Sequence, residues 1–546
     1  MKIVVAEKVS PATLAVFREQ PDWQVLTADQ VEGRLALELA DADALIVRSG
    51  IKVTSSLLEN AGQLRVIGRA GIGVDNIDLE AATRKGIAVM NTPGANAVAV
   101  AEHTLGLMLS LARHLPRANE LTKAGKWEKK SLEGTELRGK VLGILGLGRI
   151  GMEVSRRARA FGMTCVAYDP FVSAEVARDN GVDLRSLDDV LAGSDYLTLH
   201  LALTPQTHGF VSAATIAKMK KGVRILNCAR GELIDEQALC DGLAGGQIGG
   251  AALDVFPLEP PVNSPLLKFD NVIVTPHIAG STKEAQEAVG VQIAQQVKEY
   301  LARGVIQNAV NIPSVSYEEY VDMQPFLVLA QRLGAFLVQS IGTEAGVSEI
   351  ALRYKGRIAG WKTQLLRNAA TMGVLHSMHA GEANLVNAEA IAESRGIRVK
   401  ESAKEKASGA AGDVISIALK TMNGEHTAAG TVLHGTSPRL LQYEEIDIEA
   451  PLERDLLFLR NKDVPGVVGR VGTILGEHQV NIANFSLGRA DVRKFAASST
   501  AANEASGNEP AQQAVVVVQV DSRVPEHALA ELRKIPAVTV ARAIRM

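Results

Sequence analysis

The chain has 546 residues, more than one hydrophobic core accommodates, because cores stop growing near about 250–300 residues. Apolar residues make up 47%, charged residues 22% and the net charge is −3, which describes an ordinary globular protein with no bulk attraction for nucleic acid or an anionic membrane. Three cysteines, Cys165, Cys228 and Cys240, stand in no CxxC or Cys/His pattern, so the expectation is no metal, no disulfide framework, and buried, reduced thiols in a cytoplasmic protein. The opening MKIVVAEKVS lacks the long apolar core of a signal peptide, and Gly and charged residues interrupt the apolar stretches, so no membrane span is expected.

In chain order, KIVVA (2–6), ALIV (44–47), RVIG (65–68) and IAVM (87–90) read as buried strands alternating with helical segments near 11–19 and 78–85. That alternation predicts βαβ units on a parallel sheet. A long apolar helix is expected at roughly 97–113. A second α/β series opens with KVLGILGLGRIG (140–151) and continues through TCVAYD (164–169), YLTLHL (196–201), VRILN (223–227), GGAALDV (249–255) and NVIVTP (271–276). A helix-period segment at 282–303 then leads to VNIP (310–313) and is expected to return the chain to the first lobe. This divides the first part into one lobe of 1–97 plus 285–314 and a second of 98–284. Residues 315–452 give weak signals around one predicted helix at 360–375, and 453–546 read β-α-β-β-α-β. The last stretch is interrupted by the small, polar segment AASSTAANEASGNEPAQQA (496–514), expected to be a disordered loop.

Gly146-Leu147-Gly148-Arg149-Ile150-Gly151 is a GxGxxG run between the strand VLGIL and the helical stretch MEVSRRARAF. Gly146 permits a tight turn, Gly148 lets the backbone approach a pyrophosphate, and Gly151 lets helix and strand pack closely. The helix N-terminus then offers free N–H groups to the phosphates. Asp169 lies 18 residues past Gly151, where a carboxylate accepts hydrogen bonds from ribose hydroxyls and repels a 2′-phosphate, so NAD is the expected cofactor.

Three predicted strands end in reactive residue types: VRILN runs into Arg230, GGAALDV into Glu259, and NVIVTP into His277. The carboxyl ends of strands in an open α/β sheet gather on one edge, so the three can converge. Oxidising a 2-hydroxy acid removes a hydride from C2 and a proton from its hydroxyl. A histidine takes such a proton near neutral pH, a carboxylate beside it orients the ring, and an arginine holds the substrate carboxylate bidentately. A plainer reading pairs Arg230 with Asp235 or Glu236 at the next helix start.

The stretches RAGIGVDNID (69–78), NTPGANAVAVAEHTLGLML (91–109), LGLGRIG (145–151), NCARGELIDEQAL (227–239), ALDVFPLEP (252–260) and TPHIAGST (275–282) resemble the D-isomer-specific 2-hydroxyacid dehydrogenases, across both lobes. The resemblance implies that Arg230, Glu259 and His277 are catalytic, with His277 the proton donor and acceptor. It places Arg149, Ile150, Asp169, Cys228, Ala229, Arg230, Asp254 and the turn His277-Ile278-Ala279-Gly280 at the cofactor. Ile72 departs from the pattern, since some members carry a threonine there, and a changed local contact is expected.

Arg48 and Arg69 follow apolar strands of the other lobe and suit a substrate with a second anionic group such as a phosphate; the plainer reading is two surface arginines in salt bridges. The resemblance adds Asn96 as a substrate contact. Trp127, in GKWEKKS, is open between a contact to a neighbouring subunit and a surface aromatic. The C-terminal unit resembles an ACT domain, implying serine as an effector, held by Asn461, Asp463 and Asn481, and residues 315–452 resemble the α+β intervening domain of long-form members. The implied fold is α/β: a two-lobed Rossmann-type dehydrogenase, an α+β domain, then the ACT-like βαββαβ unit. The implied activity is NAD-dependent oxidation of 3-phospho-D-glycerate to 3-phosphooxypyruvate at the start of the phosphorylated serine pathway, by a homotetramer. The alternatives are a glycerate or hydroxypyruvate reductase of the same family, and a dinucleotide-sensing interaction protein.

Overall fold

In the computed structural model, residues 1–379, 382–404, 412–490 and 513–546 are described. The first sheet comprises β1 (Lys2–Val5), β2 (Gln24–Leu26), β3 (Ala44–Val47), β4 (Val66–Arg69) and β5 (Ala88–Met90), all parallel, in the order β2-β1-β3-β4-β5. Its strands are continuous apolar runs because both faces are covered. Ile3, Val5, Ala44 and Ile46 enter one core, while Val4, Leu45 and Val47 enter the core on the opposite face. The helix Lys283–Arg303 lies on the first of these faces, with Val289, Ile293 and Val297 in that core.

The second sheet comprises β6 (Val141–Leu145), β7 (Thr164–Tyr168), β8 (Asp183–Leu184), β9 (Tyr196–Leu199), β10 (Val223–Asn227), β11 (Ile248–Leu253) and β12 (Val272–Val274), in the order β12-β11-β10-β9-β6-β7-β8. All its pairings are parallel. The chain winds outward from β6 through β8 and then resumes on the other side of β6 at β9. Such a reversal opens a crevice beyond the carboxyl ends of those two strands.

The third sheet, β13 (Glu349–Lys355), β14 (Arg398–Lys404), β15 (Val414–Thr421), β16 (Gly424–Leu433), β17 (Ser437–Tyr443) and β18 (Ile446–Pro451), has the order β14-β13-β15-β16-β17-β18. Only β13 and β14 pair in parallel. The helices Tyr317–Ile341 and Gln364–Ser377 pack together beside it. Sequence reading finds the second of these helices and misses the strands, although β13, β15 and β18 alternate buried with more exposed residues at period two. The first helix has no counterpart among the expected elements: by length and composition alone it could cross a membrane, but 56% of its apolar window is buried within the protein.

The fourth sheet, β19 (Asp455–Lys462), β20 (Ile482–Arg489), β21 (Gln513–Val520) and β22 (Val538–Arg545), is antiparallel in the order β20-β21-β19-β22. The helices Val467–Glu477 and Glu526–Leu532 cover one face, packing on Leu457, Leu459, Val516 and Val518. The other face carries Phe458, whose ring lies 5.7 Å from Phe336 and 4.9 Å from Tyr443 of the preceding unit. The loop expected at 496–514 falls outside the described residues up to 512, and Gln513 and Ala514 already belong to β21, two residues earlier than expected.

Gly68 in β4 shows how closely the returning helix sits. A Cβ there would lie 2.8 Å from Ile293 Cγ1 and 2.9 Å from Val297 Cγ2. Gly68→Ala is expected to destabilise the fold by about 1–3 kcal/mol through overpacking, read as a lower urea midpoint at unchanged slope.

Candidate active site

The glycine turn after β6 has the geometry its residues require. Gly146 has φ +93°, and a Cβ there would meet the His200 carbonyl oxygen at 2.6 Å. A Cβ on Gly151 would meet the Gly146 carbonyl at 2.3 Å, so the helix Arg149–Ala160 can lie this close only on glycine. Gly148 caps that helix and has nothing within 4 Å of its missing side chain, leaving open the space a pyrophosphate needs. Asp169, just past β7, accepts from the Leu147 N–H at 2.8 Å and from the Phe171 N–H at 2.8 Å, which locks its carboxylate beside the turn. Ile150 packs partly buried under the helix, and Arg149 reaches across the crevice to donate to the Pro93 carbonyl of the other lobe. The turn and Asp169 therefore fit a dinucleotide.

The next three strands, β10, β11 and β12, are neighbours, and their carboxyl ends deliver the reactive groups together. His277 Nδ1 lies 2.8 Å from Glu259 Oε2, and Glu259 Oε1 accepts from the Phe256 N–H at 3.0 Å. His277 has φ +53°, a left-handed conformation that its surroundings must hold. Asp254 does this: its fully buried carboxylate accepts from Thr275 Oγ1 at 2.5 Å and from the N–H groups of Ile278 and Ala279 at 2.9 and 2.8 Å, while its carbonyl accepts the His277 N–H at 2.9 Å. Asp254 thus sets the turn from beneath. The turn's last residue, Gly280, faces Asn96, whose Oδ1 is buried and has no partner.

Asn227 fixes the neighbouring turn in the same way, accepting from the Ala229 N–H at 3.0 Å and donating to the Arg230 carbonyl at 2.8 Å. Arg230 donates from Nε to Asp75 Oδ2 at 3.0 Å, across the crevice. It does not pair with Asp235, which caps its own helix by accepting the Ala238 N–H, nor with Glu236, which accepts from Ser264. Cys228 is buried, and burial pushes its thiol up to about 12, so it is an inert part of this wall.

Arg48 and Arg69 follow β3 and end β4, on the edge of the first sheet that also delivers Glu7. Glu7 accepts from the N–H groups of Arg48 and Gly50 at 2.5 and 3.0 Å and so shapes the Arg48 turn. Arg69 makes no side-chain hydrogen bond among the described residues, and its Nε is buried without a partner. Burial and the Arg230 guanidinium, with a smaller push from Arg48, hold its pKa below the usual guanidinium range against the pull of Asp75 and Glu7. Arg48, Arg69 and Arg230 thus share the field of two carboxylates, Asp75 and Glu7.

Sequence reading missed several residues that organise this site. His103, on the helix Ala97–Arg113, places Nε2 3.1 Å from Thr275 Oγ1 and 3.4 Å from Asp254 Oδ1. His200 follows β9 beside Gly146, partly buried, and burial lowers its pKa to about 4, so it stays neutral. Asp75 and Asn227 lie inside the stretches that carry the family resemblance, Asn227 at the end of β10, but nothing in the sequence marks the partners they hold. Trp127 is 75% exposed, with Lys129 Nζ 5.5 Å from its ring centroid.

The expected effector residues are not brought together within one chain. Asn461 lies opposite Ala514 at one end of β21, and Ile482, next to Asn481, lies opposite Val520 at the other. The separation is about 20 Å at ~3.3 Å per residue. Asp463 pairs with Arg489 at 3.0 Å, and Asn481 donates to Asp521 at 2.6 Å.

The fold and this site define an NAD-dependent dehydrogenase of the 2-hydroxyacid class. Residues 105–279 match the D-isomer specific 2-hydroxyacid dehydrogenase NAD binding domain, 322–444 the D-3-phosphoglycerate dehydrogenase intervening domain, and 456–537 the ACT domain. The chain is 40% identical to D-3-phosphoglycerate dehydrogenase of Methanocaldococcus jannaschii over 98% of both chains, and 36% identical to that of Bacillus subtilis over 100% of this chain and 99% of the other. D-Lactate dehydrogenase from Aquifex aeolicus, solved with NAD and lactic acid, superposes with a TM-score of 0.51 at 30% identity, covering 57% of this chain and all of that one. The chain belongs to the D-3-phosphoglycerate dehydrogenase family.

The Asp254 clamp predicts an acid dependence. Burial alone would raise the carboxyl's pKa, but the donors from His103, Thr275, Ile278 and Ala279 outweigh it and hold the group below its ordinary value of 3.8. A depressed folded-state pKa gives stability that is complete above the ordinary value and is lost as pH falls through the folded one. Asp254→Asn should lower the melting temperature at pH 7, and the gap from the wild type should shrink below about pH 4.

Proposed function

We propose that the chain oxidises 3-phospho-D-glycerate to 3-phosphooxypyruvate, opening the phosphorylated route to L-serine. The observation that carries this reading is the placing of arginines from both lobes on one crevice: Arg230 reaches across to Asp75, and Arg69, whose Nε is buried without a partner among the described residues, feels the Arg230 guanidinium. A substrate with a carboxylate at one end and a phosphate at the other offers an anion to both. Arg230 binds the carboxylate, exchanging part of its contact with Asp75, and so places C2 over the crevice. Arg48, Arg69 and Asn96 hold the phosphate side, where the orphaned Asn96 Oδ1 and Arg69 Nε gain partners. His277 Nε2 takes the hydroxyl proton, while Glu259 on Nδ1 fixes the ring and stabilises the imidazolium that forms. NAD, when bound, accepts the hydride from C2. Gly146, Gly148 and Gly151 form its pyrophosphate cradle, Asp169 takes its ribose, and Cys228, Ala229, Asp254 and the Ile278–Gly280 turn line its nicotinamide end.

The reading extends to the whole chain. Residues 1–97 with 285–314 form the substrate lobe, 98–284 the NAD lobe, 315–452 an intervening domain and 453–546 an ACT-like regulatory domain, in a cytoplasmic homotetramer. Three buried, free thiols support a reducing compartment. Serine is the proposed effector. With Asn461 and Asp463 at one end of the sheet and Asn481 at the other, a site using all three combines two copies of the chain.

The test is NADH oxidation with 3-phosphooxypyruvate, hydroxypyruvate and 2-oxoglutarate compared. The phosphorylated substrate should be strongly preferred, and Arg69→Gln should raise its KM about tenfold or more while leaving hydroxypyruvate little affected. His277→Ala should cut kcat by about 10²–10⁴ with NADH binding intact. Turnover of only the unphosphorylated acids sinks the substrate assignment. A serine titration should lower the rate or raise the melting temperature; no change in either removes the effector.

A further inference from the structure

The helix Ala97–Arg113 starts at its cap Asn96, beside Gly280, and brings His103 to the same turn seven residues later. Positions i and i+7 share one face of a helix, about 10 Å apart along its axis at ~1.5 Å per residue. Asn96 therefore meets the last residue of the segment 275–280, and His103 meets the first. Glu102, one residue earlier, lies exposed and pairs with Arg157 at 3.2 Å instead.

Donor count fixes the direction of the hydrogen bonds on this face. Thr275 has one hydroxyl hydrogen, and it goes to Asp254 Oδ1 at 2.5 Å. The Thr275 oxygen is then left to accept from His103 Nε2, 3.1 Å away, so that nitrogen carries the ring's hydrogen. The same Nε2 lies 3.4 Å from Asp254 Oδ1. The chain from His103 through Thr275 thus runs one way and ends on the carboxylate that holds the N–H groups of Ile278 and Ala279. Burial of Asp254 opposes its charge, and the His103 contact is the largest of the influences that outweigh it. The His277 N–H, in turn, is shared between the carbonyls of Asp254 and Thr275 at 2.9 and 3.0 Å. Both residues that His103 braces therefore also grip the backbone of His277.

We propose that His103 is a positioning residue for proton transfer, acting on His277 through Thr275 and Asp254 to hold the left-handed turn in the setting that aims its ring at the substrate hydroxyl. This rests on the reading of His277 as the proton acceptor. Without the His103 donor the Thr275 hydroxyl is free to turn, and the segment it anchors loses one of its fixed ends. A shift of a fraction of an ångström in a reacting group slows a transfer that depends on alignment. The glycine turn and Asp169 stand apart from this chain, so the cost falls on turnover and not on holding NADH.

The test is steady-state NADH oxidation with the 2-oxo acid that the chain turns over fastest. His103→Leu keeps a helix-forming side chain of similar bulk and removes the donor. It should lower kcat about 10–100-fold at near-constant KM and enlarge the solvent deuterium isotope effect on kcat. His103→Gln, which returns an N–H, should recover most of the loss. Thr275→Val cuts the same chain one step later, so the double variant with His103→Leu should be no slower than the slower single variant. Calorimetric titration should give wild-type NADH affinity for His103→Leu. His277→Ala separates the inference from the reading beneath it. A kcat lost in His277→Ala and kept in His103→Leu overturns the role of His103 alone, whereas a kcat kept in both overturns the reading of His277 as well. A Gln variant no better than Leu, or losses that multiply in the double variant, also overturns the positioning role.

Discussion

The buried carboxylate of Asp254 is the constraint on which the reactive end of the molecule depends. It follows β11, yet the groups it holds belong to the segment after β12: the Thr275 hydroxyl and the N–H groups of Ile278 and Ala279. A buried charge is tolerated only when its lone pairs are filled, and here filling them forces the backbone of His277 into a left-handed turn. That turn aims the ring at Glu259 and sets Gly280 against Asn96. One electrostatic requirement therefore joins two strand ends, orients the His277 ring and sets Gly280 against Asn96 of the facing lobe.

The crevice is held by complementary shortages. The NAD lobe presents a helix start with open space at Gly148 and a carboxylate at Asp169. The facing lobe presents guanidinium groups whose mutual repulsion is only partly relieved by Asp75 and Glu7. Contacts that cross between the lobes, from Arg149 to Pro93 and from Arg230 to Asp75, are polar and few, so an anionic substrate can replace them as it enters.

The C-terminal units are not loosely appended. One apolar core runs from Ile3 and Val5, through Phe326 and Phe336, to Phe458 and Val517 in the last sheet. Asn384 reinforces the junction by donating to the Gly86 carbonyl at 2.9 Å. A change in the last sheet is thus felt by side chains that also pack under the substrate lobe, because close-packed interiors transmit strain.

The nucleotide turn, the parallel sheets, the βαββαβ order and the three reactive residue types were all legible in the sequence, because each follows from local periodicity or from a spacing with its own chemical meaning. The intervening sheet was not read: its strands alternate at period two, but their order and the single parallel pair are set by non-local pairing. Asp75, His103, His200 and Asn227 were likewise silent, since each acts through a partner distant in sequence or set by a turn. The sequence by itself determined the glycine turn after β6 and the placing of Arg230, Glu259 and His277 after neighbouring strands. Only the tertiary structure decided that Arg230 turns to Asp75, that Asp254 carries the His277 turn, and that Asn461 and Asn481 stand at opposite ends of one sheet. Strand order and register are settled by burial across the whole chain, and no segment encodes them alone.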